Sequence, residues 1–204
     1  MKKTVLVYGD SNVWGDTPET VRLPDSQQWA NIMQEELGRE EYKVVQEGLA
    51  GRFAGDFCYE KHPYFNYFNG QYCYEPIYRT ASPVDIVVMA LGTNDLNDKH
   101  NRTLDEIVND VLWYESKTKT LVDEDEVAPI FLYILPPNLV GRFREDETFS
   151  LEKRKEVNEV LKHRIENFVE IDDIDLSADG LHFSVKGHER MARAVSEKIR
   201  GLER

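Results

Sequence analysis

Two runs of this chain carry no charged side chain and almost no polar one: Ile86-Val-Val-Met-Ala-Leu91 and Ile130-Phe-Leu-Tyr-Ile-Leu135. A strand with one wet face alternates apolar and polar residues, so continuous runs of this length belong to strands covered on both faces, as in a parallel sheet flanked by helices. Strand patterns at 3–8, 43–47, 85–91, 129–135 and 168–171 alternate with helical stretches, the order expected of βαβ units. The reading is therefore an α/β chain in which the third and fourth strands are central.

The helices follow from 3.6-residue spacing and from their ends. Gln27–Leu37 places Trp29, Ile32, Met33 and Leu37 inward and stops at Gly38. Thr103–Val122 opens on the capping box Thr103-x-x-Glu106 and turns Leu104, Ile107, Val108, Val111 and Leu112 to one face. Ser150–Asn167 and Ser184–Leu202 complete the set, with Val157, Val160, Leu161 and Ile165 inward in the first and Val185, Met191, Val195 and Ile199 in the second. At 204 residues the chain can bury a substantial core, and a single domain over 1–204 is expected.

Charge narrows the partners. There are 25 basic and 38 acidic side chains, a formal net charge of −13, which speaks against nucleic acid and anionic membrane. Met1-Lys-Lys leads straight into a strand, and no long apolar stretch follows, so a cytoplasmic location is expected, with Cys58 and Cys73 as reduced thiols. Homo-oligomer formation is compatible with the composition. No metal or other cofactor is expected: Asp172, Asp173 and Asp175 lack the spacing of an EF-hand loop, and His188-Glu189 is not a His-Glu-x-x-His pair.

Chemistry concentrates in loops after the strands. Val5-Leu-Val-Tyr-Gly-Asp-Ser11-Asn-Val-Trp-Gly15 puts a serine just past a strand, where a nucleophile would be presented, and Asp179-Gly-Leu-His182 supplies a carboxylate and an imidazole three residues apart. A serine hydroxyl is a weak nucleophile near neutral pH. It needs a base such as histidine, whose unperturbed pKa is about 6.5, and an aspartate to fix the ring's tautomer. Each piece alone also reads as a turn: Gly-Asp-Ser and Asp179-Gly180 form local bonds, and Ser184 can cap the helix that follows, leaving His182 on the surface.

Two further loops turn the pieces into a constellation. Tyr42–Glu47 runs into Gly48-Leu-Ala-Gly51-Arg52, and Asp85–Leu91 into Gly92-Thr-Asn94-Asp95. A glycine N–H and an asparagine carboxamide are donors suited to a developing oxyanion, each worth about 10²–10³ in rate. Ser11, Gly51 and Asn94 all follow strands directly, so they fall on the carboxyl rim of the sheet, where open α/β folds place their sites.

These four blocks, Gly9-Asp10-Ser11, Glu47-Gly48-Leu49-Ala50-Gly51-Arg52, Gly92-Thr93-Asn94-Asp95 and Asp179-Gly180-Leu181-His182-Phe183, resemble those of the SGNH hydrolases of GDSL type. Gly-Asp-Ser-Asn-Val-Trp-Gly and Leu-Gly-Thr-Asn-Asp-Leu are most similar to the bacterial arylesterase and acyltransferase branch, although Val13 stands where that branch often has Thr. The resemblance implies a three-layer α/β/α, flavodoxin-like fold with a five-stranded parallel sheet in the order 2-1-3-4-5. It implies Ser11, His182 and Asp179 as catalytic triad and Ser11, Gly51 and Asn94 as oxyanion hole. The expected activity is hydrolysis of short-chain aryl or alkyl esters, a small-molecule substrate class, with acyl transfer to alcohols as a side activity. A carbohydrate O-acetyl esterase is the alternative, a thioesterase or lysophospholipase a weaker third. A non-catalytic flavodoxin-like binding protein would keep the same blocks as turns.

Substrate contacts are assigned to Asp10, Asn12 and Trp14 around the serine, and to Leu139 and Phe143 in the loop Pro136–Arg144 after the fourth strand. The aromatic run Phe57, Tyr59, His62, Tyr64, Phe65, Tyr67, Phe68, Tyr72, Tyr74 and Tyr78 reads equally as a pocket wall and as a minor core or subunit contact.

Overall fold

The computed structural model describes residues 2–55, 68–123, 127–139 and 148–202. Strands β1 (Lys3–Gly9), β2 (Tyr42–Gly48), β3 (Ile86–Ala90), β4 (Ile130–Ile134) and β5 (Phe168–Val169) form one parallel sheet in the order β2-β1-β3-β4-β5. In register, Val5 lies between Val44 and Ile86, and Val88 pairs with Leu132. The order is the one implied by the resemblance. The fifth strand is shorter than its sequence pattern, only two residues long.

Alternate side chains of the central strands enter two different cores, which is why these strands are apolar throughout. Val5, Val7, Val88 and Leu132 pack with α2 (Trp29–Leu37) and α6 (Val185–Leu202) through Met33, Leu37, Val195 and Ile199. Leu6, Tyr8, Val87 and Met89 pack with α3 (Gly70–Ala81), α4 (Leu104–Lys119) and α5 (Leu151–Arg164) through Tyr74, Val111, Tyr114 and Leu161. The result is three layers. The ends of the helices form as their sequences direct. Thr103 and Glu106 make both bonds of the capping box, and the Ser150 and Ser184 hydroxyls accept from Lys153 N–H and Gly187 N–H.

Two helices go beyond the sequence reading. One is the single turn α1 (Ser11–Trp14) behind the serine; the other is α3, which lies inside the aromatic run. Gly70 at its first position and Pro76 in its interior disguise α3, but Asn69 caps it by accepting from Tyr72 N–H at 3.0 Å. Its Tyr74 and Tyr78 are buried core residues, Tyr72 is exposed, and Phe68 just before it lines a cleft. Phe57 to Tyr67 lie outside the described residues.

The buried tyrosines act as polar pins as well as core. Tyr8 donates to the Gly70 carbonyl at 2.7 Å, Tyr114 to the Ala54 carbonyl at 2.6 Å, and Tyr74 meets the Thr118 hydroxyl at 2.6 Å. Their rings stack edge to face, Tyr8 on Tyr74 at 5.3 Å and Tyr74 on Tyr114 at 5.0 Å. Loops above the sheet are thereby fixed from below. Among the described residues no helix is long and apolar enough to cross a membrane.

The start of α2 depends on a histidine of α6. His188 is fully buried, and its Nδ1 accepts from the Trp29 N–H at 3.2 Å, which requires an unprotonated Nδ1. Burial, with the His182 ring adding to it, pulls its pKa down from 6.5 to about 4. Between those values the unfolded chain takes up a proton that the fold refuses, so the contribution of His188 to stability falls as the pH drops from 6.5 toward 4, by up to about 3 kcal/mol. Asp10 and Asp95, raised by burial to about 6, act in the opposite sense. His188→Gln keeps an acceptor for Trp29 and removes the titration. In urea unfolding, the stability of His188→Gln relative to the wild type should rise as the pH is lowered from neutral toward 4; a difference that does not change with pH would contradict this role for His188.

Candidate active site

The serine is placed by a sharp strand-to-helix turn. β1 ends at Gly9, Asp10 caps the one-turn helix α1 by accepting from Asn12 N–H at 3.0 Å, and Gly15, at φ +84°, ends it. β2 arrives so close that a Cβ on Gly48 would stand 2.2 Å from the Trp14 nitrogen. A glycine is therefore required there. Ser11 is nearly buried, 6% exposed, and among the described residues no acceptor takes its N–H or that of Gly51.

Arginine 52 draws the loops after β1, β2 and β3 together. Its Nη1 donates to the carbonyls of Gly9 at 3.0 Å and Glu47 at 2.6 Å, and its guanidinium lies 4.2 Å from the centre of the Tyr8 ring. Its own carbonyl accepts from Asn94 Nδ2 at 2.9 Å. The carboxamide thus bonds the neighbouring loop rather than its own, spending one N–H and keeping a second. Asp95, fully buried, continues the connection by accepting from Ala54 N–H at 2.8 Å and Arg102 Nη1 at 2.6 Å. Burial outweighs these donors and lifts its pKa to about 6.

On the other side, Asp179 holds His182 in a tight loop. Asp179 Oδ2 lies 2.7 Å from His182 Nδ1, while Oδ1 accepts from the backbone N–H groups of Leu181 and His182 at 3.0 and 3.1 Å. Partial burial works to raise its pKa, but these donors prevail and hold it below the ordinary carboxylate value. An ionised Asp179 on Nδ1 makes that nitrogen the protonated one and Nε2 the basic one.

Ser11, Gly51, Asn94 and His182 line one cleft of about 390 Å³ at the carboxyl rim. Of the residues assigned to substrate from sequence, Trp14 lines it too. Asp10, Asn12 and Leu139 are not among its described lining residues. Asp10 is occupied as the cap of α1. Asn12 is a staple: its Oδ1 accepts from Phe183 N–H at 2.8 Å, its Nδ2 donates to Leu181 O at 3.4 Å, and its carbonyl accepts from Trp29 Nε1 at 3.0 Å. Leu139 is buried in a loop whose Pro136 carbonyl is held by Arg154 and Asn158 of α5. Phe143, like Cys58, lies outside the described residues.

The sequence reading missed several residues of the cleft. Asp16, whose Oδ2 lies 3.8 Å from His182 Nε2, lines it, and so do Thr20, Phe53, Asn97, Lys99 and His100. Asp16 alone carried a local signal, since it directly follows the left-handed glycine that turns the chain. Among the described residues no group of three or more histidine, cysteine or acidic side chains is arranged for a metal ion.

The Asn12 bonds should be measurable. Asn12→Ala leaves the Phe183 N–H and the Leu181 carbonyl without their partner, so it should lower stability by about 1–3 kcal/mol in chemical unfolding. Unchanged stability would mean that the histidine loop is held by other contacts. No family model matches the chain, and no curated protein matches it significantly, but solved structures do. The chain is similar to a carbohydrate acetylesterase from Sinorhizobium meliloti, with a TM-score of 0.86 and 28% identity over 98% of this chain and 100% of that one. It is similar to a putative arylesterase from Agrobacterium tumefaciens, at 0.83 and 25% over 98% and 99%. An aryl esterase from M. smegmatis, at 0.84 and 24% over 98% and 99%, shares the fold. Together with the sheet order and the four blocks gathered on one rim, these likenesses give the chain the α/β fold of its solved esterase neighbours, consistent with the SGNH/GDSL hydrolase family.

Proposed function

We propose that the protein is a serine carboxylic ester hydrolase acting on short-chain aryl or alkyl esters, with acyl transfer to alcohols where water is poorly admitted. The observation that carries this reading is the 2.7 Å contact of Asp179 with His182 Nδ1 in a cleft that also holds Ser11. Ser11 Oγ attacks the ester carbonyl while His182 Nε2 takes its proton. The negative charge that grows on the carbonyl oxygen is met by the N–H groups of Ser11 and Gly51 and by the remaining Asn94 N–H. Collapse of the tetrahedral intermediate breaks the bond to the alcohol oxygen, which leaves with the proton from His182. Water then repeats the sequence on the acyl-serine and restores the hydroxyl.

A second reading, hydrolysis of O-acetyl groups on carbohydrates, is favoured by the Asp16 carboxylate beside His182, by Thr20 in the lining of the same cleft and by the likeness to the Sinorhizobium meliloti enzyme. The chemistry is identical. The two readings differ in the alcohol half of the ester.

Ser11→Ala should abolish turnover of p-nitrophenyl acetate without changing the melting temperature by more than a few degrees, because it removes one hydroxyl at a helix start. Residual activity within tenfold of wild type would remove Ser11 from its role. Asp179→Asn should lower kcat by up to about 10⁴, since a carboxamide no longer enforces the Nδ1–H tautomer. Asn94→Ala is expected to reduce kcat by about 10²–10³ with little change in KM, plus a stability loss of about 1 kcal/mol for the bond to Arg52. A normal kcat in that variant, with only the stability loss, would leave Asn94 as a brace between loops.

A further inference from the structure

We propose that Asp16 is a specificity-determining residue that reads the alcohol half of the ester, selecting alcohols with a hydroxyl on the carbon next to the esterified one. The inference rests on the esterase reading above. Its starting point is the position of one carboxylate. Asp16 Oδ2 lies 3.8 Å from His182 Nε2, the nitrogen on the far side of the ring from Asp179. Asp16 is aimed there by its backbone: the N–H groups of Gly15 and Asp16 both bond the Ser11 carbonyl, at 2.8 and 3.0 Å, so the left-handed turn after the serine brings the carboxylate back over the site.

Only half of this carboxylate has a structural use. Oδ1 accepts from the Thr17 N–H at 3.0 Å, whereas Oδ2 accepts no hydrogen bond among the described residues, although the side chain is only 10% exposed. An acceptor left in that condition favours any ligand that brings it a donor and disfavours one that covers it with methylene groups.

The reaction decides which part of the substrate arrives there. With Nδ1 engaged by Asp179, the leaving alkoxide must collect its proton from Nε2 and so sits within hydrogen-bond reach of that atom. In the esterase reading the carbonyl oxygen faces Gly51 and Asn94 rather than His182. The alcohol half therefore lies along Asp16, in a cleft that Trp14 and Thr20 also line. A hydroxyl on the neighbouring carbon can donate to Oδ2; an alkyl group in its place would desolvate the carboxylate without a partner. A fixed cation on the alcohol is less suited, because it would adjoin the imidazolium that forms during attack.

Discrimination built on a largely shielded acceptor of this kind is expected to reach about 10- to 100-fold. The test compares 2-hydroxyethyl acetate with propyl acetate, which have the same length and differ in the terminal hydroxyl, and adds acetylcholine as the cationic ester. Wild-type protein should prefer the hydroxylated ester in kcat/KM by about tenfold or more over both others. Asp16→Ala and Asp16→Asn should each lower the ratio of hydroxylated to propyl ester by about tenfold; a ratio within one preparation is independent of how much of it is folded. The Asn variant keeps the shape and an acceptor for Thr17.

A ratio unchanged within twofold in both variants, even with both rates reduced, would overturn the inference and leave Asp16 acting through His182. Preference for acetylcholine would overturn it as well. If wild-type protein turns over none of the three esters, the esterase reading fails and this inference with it. Turnover at a ratio indifferent to Asp16 sinks the inference alone.

Discussion

The Phe183 N–H to Asn12 Oδ1 bond, at 2.8 Å, joins residues 171 positions apart, and the geometry of the site depends on it. The serine turn hangs from the end of β1 and the histidine loop from the approach to α6, and neither strand pairing nor helix packing by itself sets the distance between them. Asn12 sets it from within α1, one residue after Ser11, and donates at the same time to the Leu181 carbonyl. Because Asn12, Leu181 and Phe183 are buried, these bonds are not exchanged with water and hold a defined geometry. Trp29 extends the connection to α2, by its indole N–H to the Asn12 carbonyl and its backbone N–H to His188 of α6.

The loops after β2 and β3 are held on a different principle, by buried and half-buried charged side chains that bond backbone carbonyl groups and each other. Arg52 collects the carbonyls at the ends of two strands, and Asp95 with Arg102 and Asp110 ties the loop after β3 to the loop after β2. Taking these groups out of water is costly, and their value lies in fixing positions rather than in net stability. The loops they fix carry Gly51 and Asn94.

Most of the fold was legible because the apolar periods of its strands and helices follow burial directly. The runs at 86–91 and 130–135 are strands with a core on each side, and Thr103-x-x-Glu106 forms the cap it spells. What escaped was governed by tertiary context. Helix α3 begins with glycine and contains proline, so its propensity argues against the structure that Tyr74 and Tyr78 stabilise by packing. At the site, residue types and strand ends were enough to gather Ser11, Gly51, Asn94, Asp179 and His182. They could not tell a side chain that faces the cleft from one that faces the protein. Asp10 and Asn12 stand next to the serine in sequence and point away from the cleft into hydrogen bonds, while Asp16, five residues on, is turned into it by Gly15.

The proposed activation of the Ser11 hydroxyl by His182 and Asp179 is tested most directly by covalent capture. Incubation with a small organophosphate, followed by intact-mass and peptide-mass analysis, should give a single adduct on the peptide containing Ser11 and none in the Ser11→Ala variant. An unmodified protein, or an adduct that persists in that variant, would contradict it.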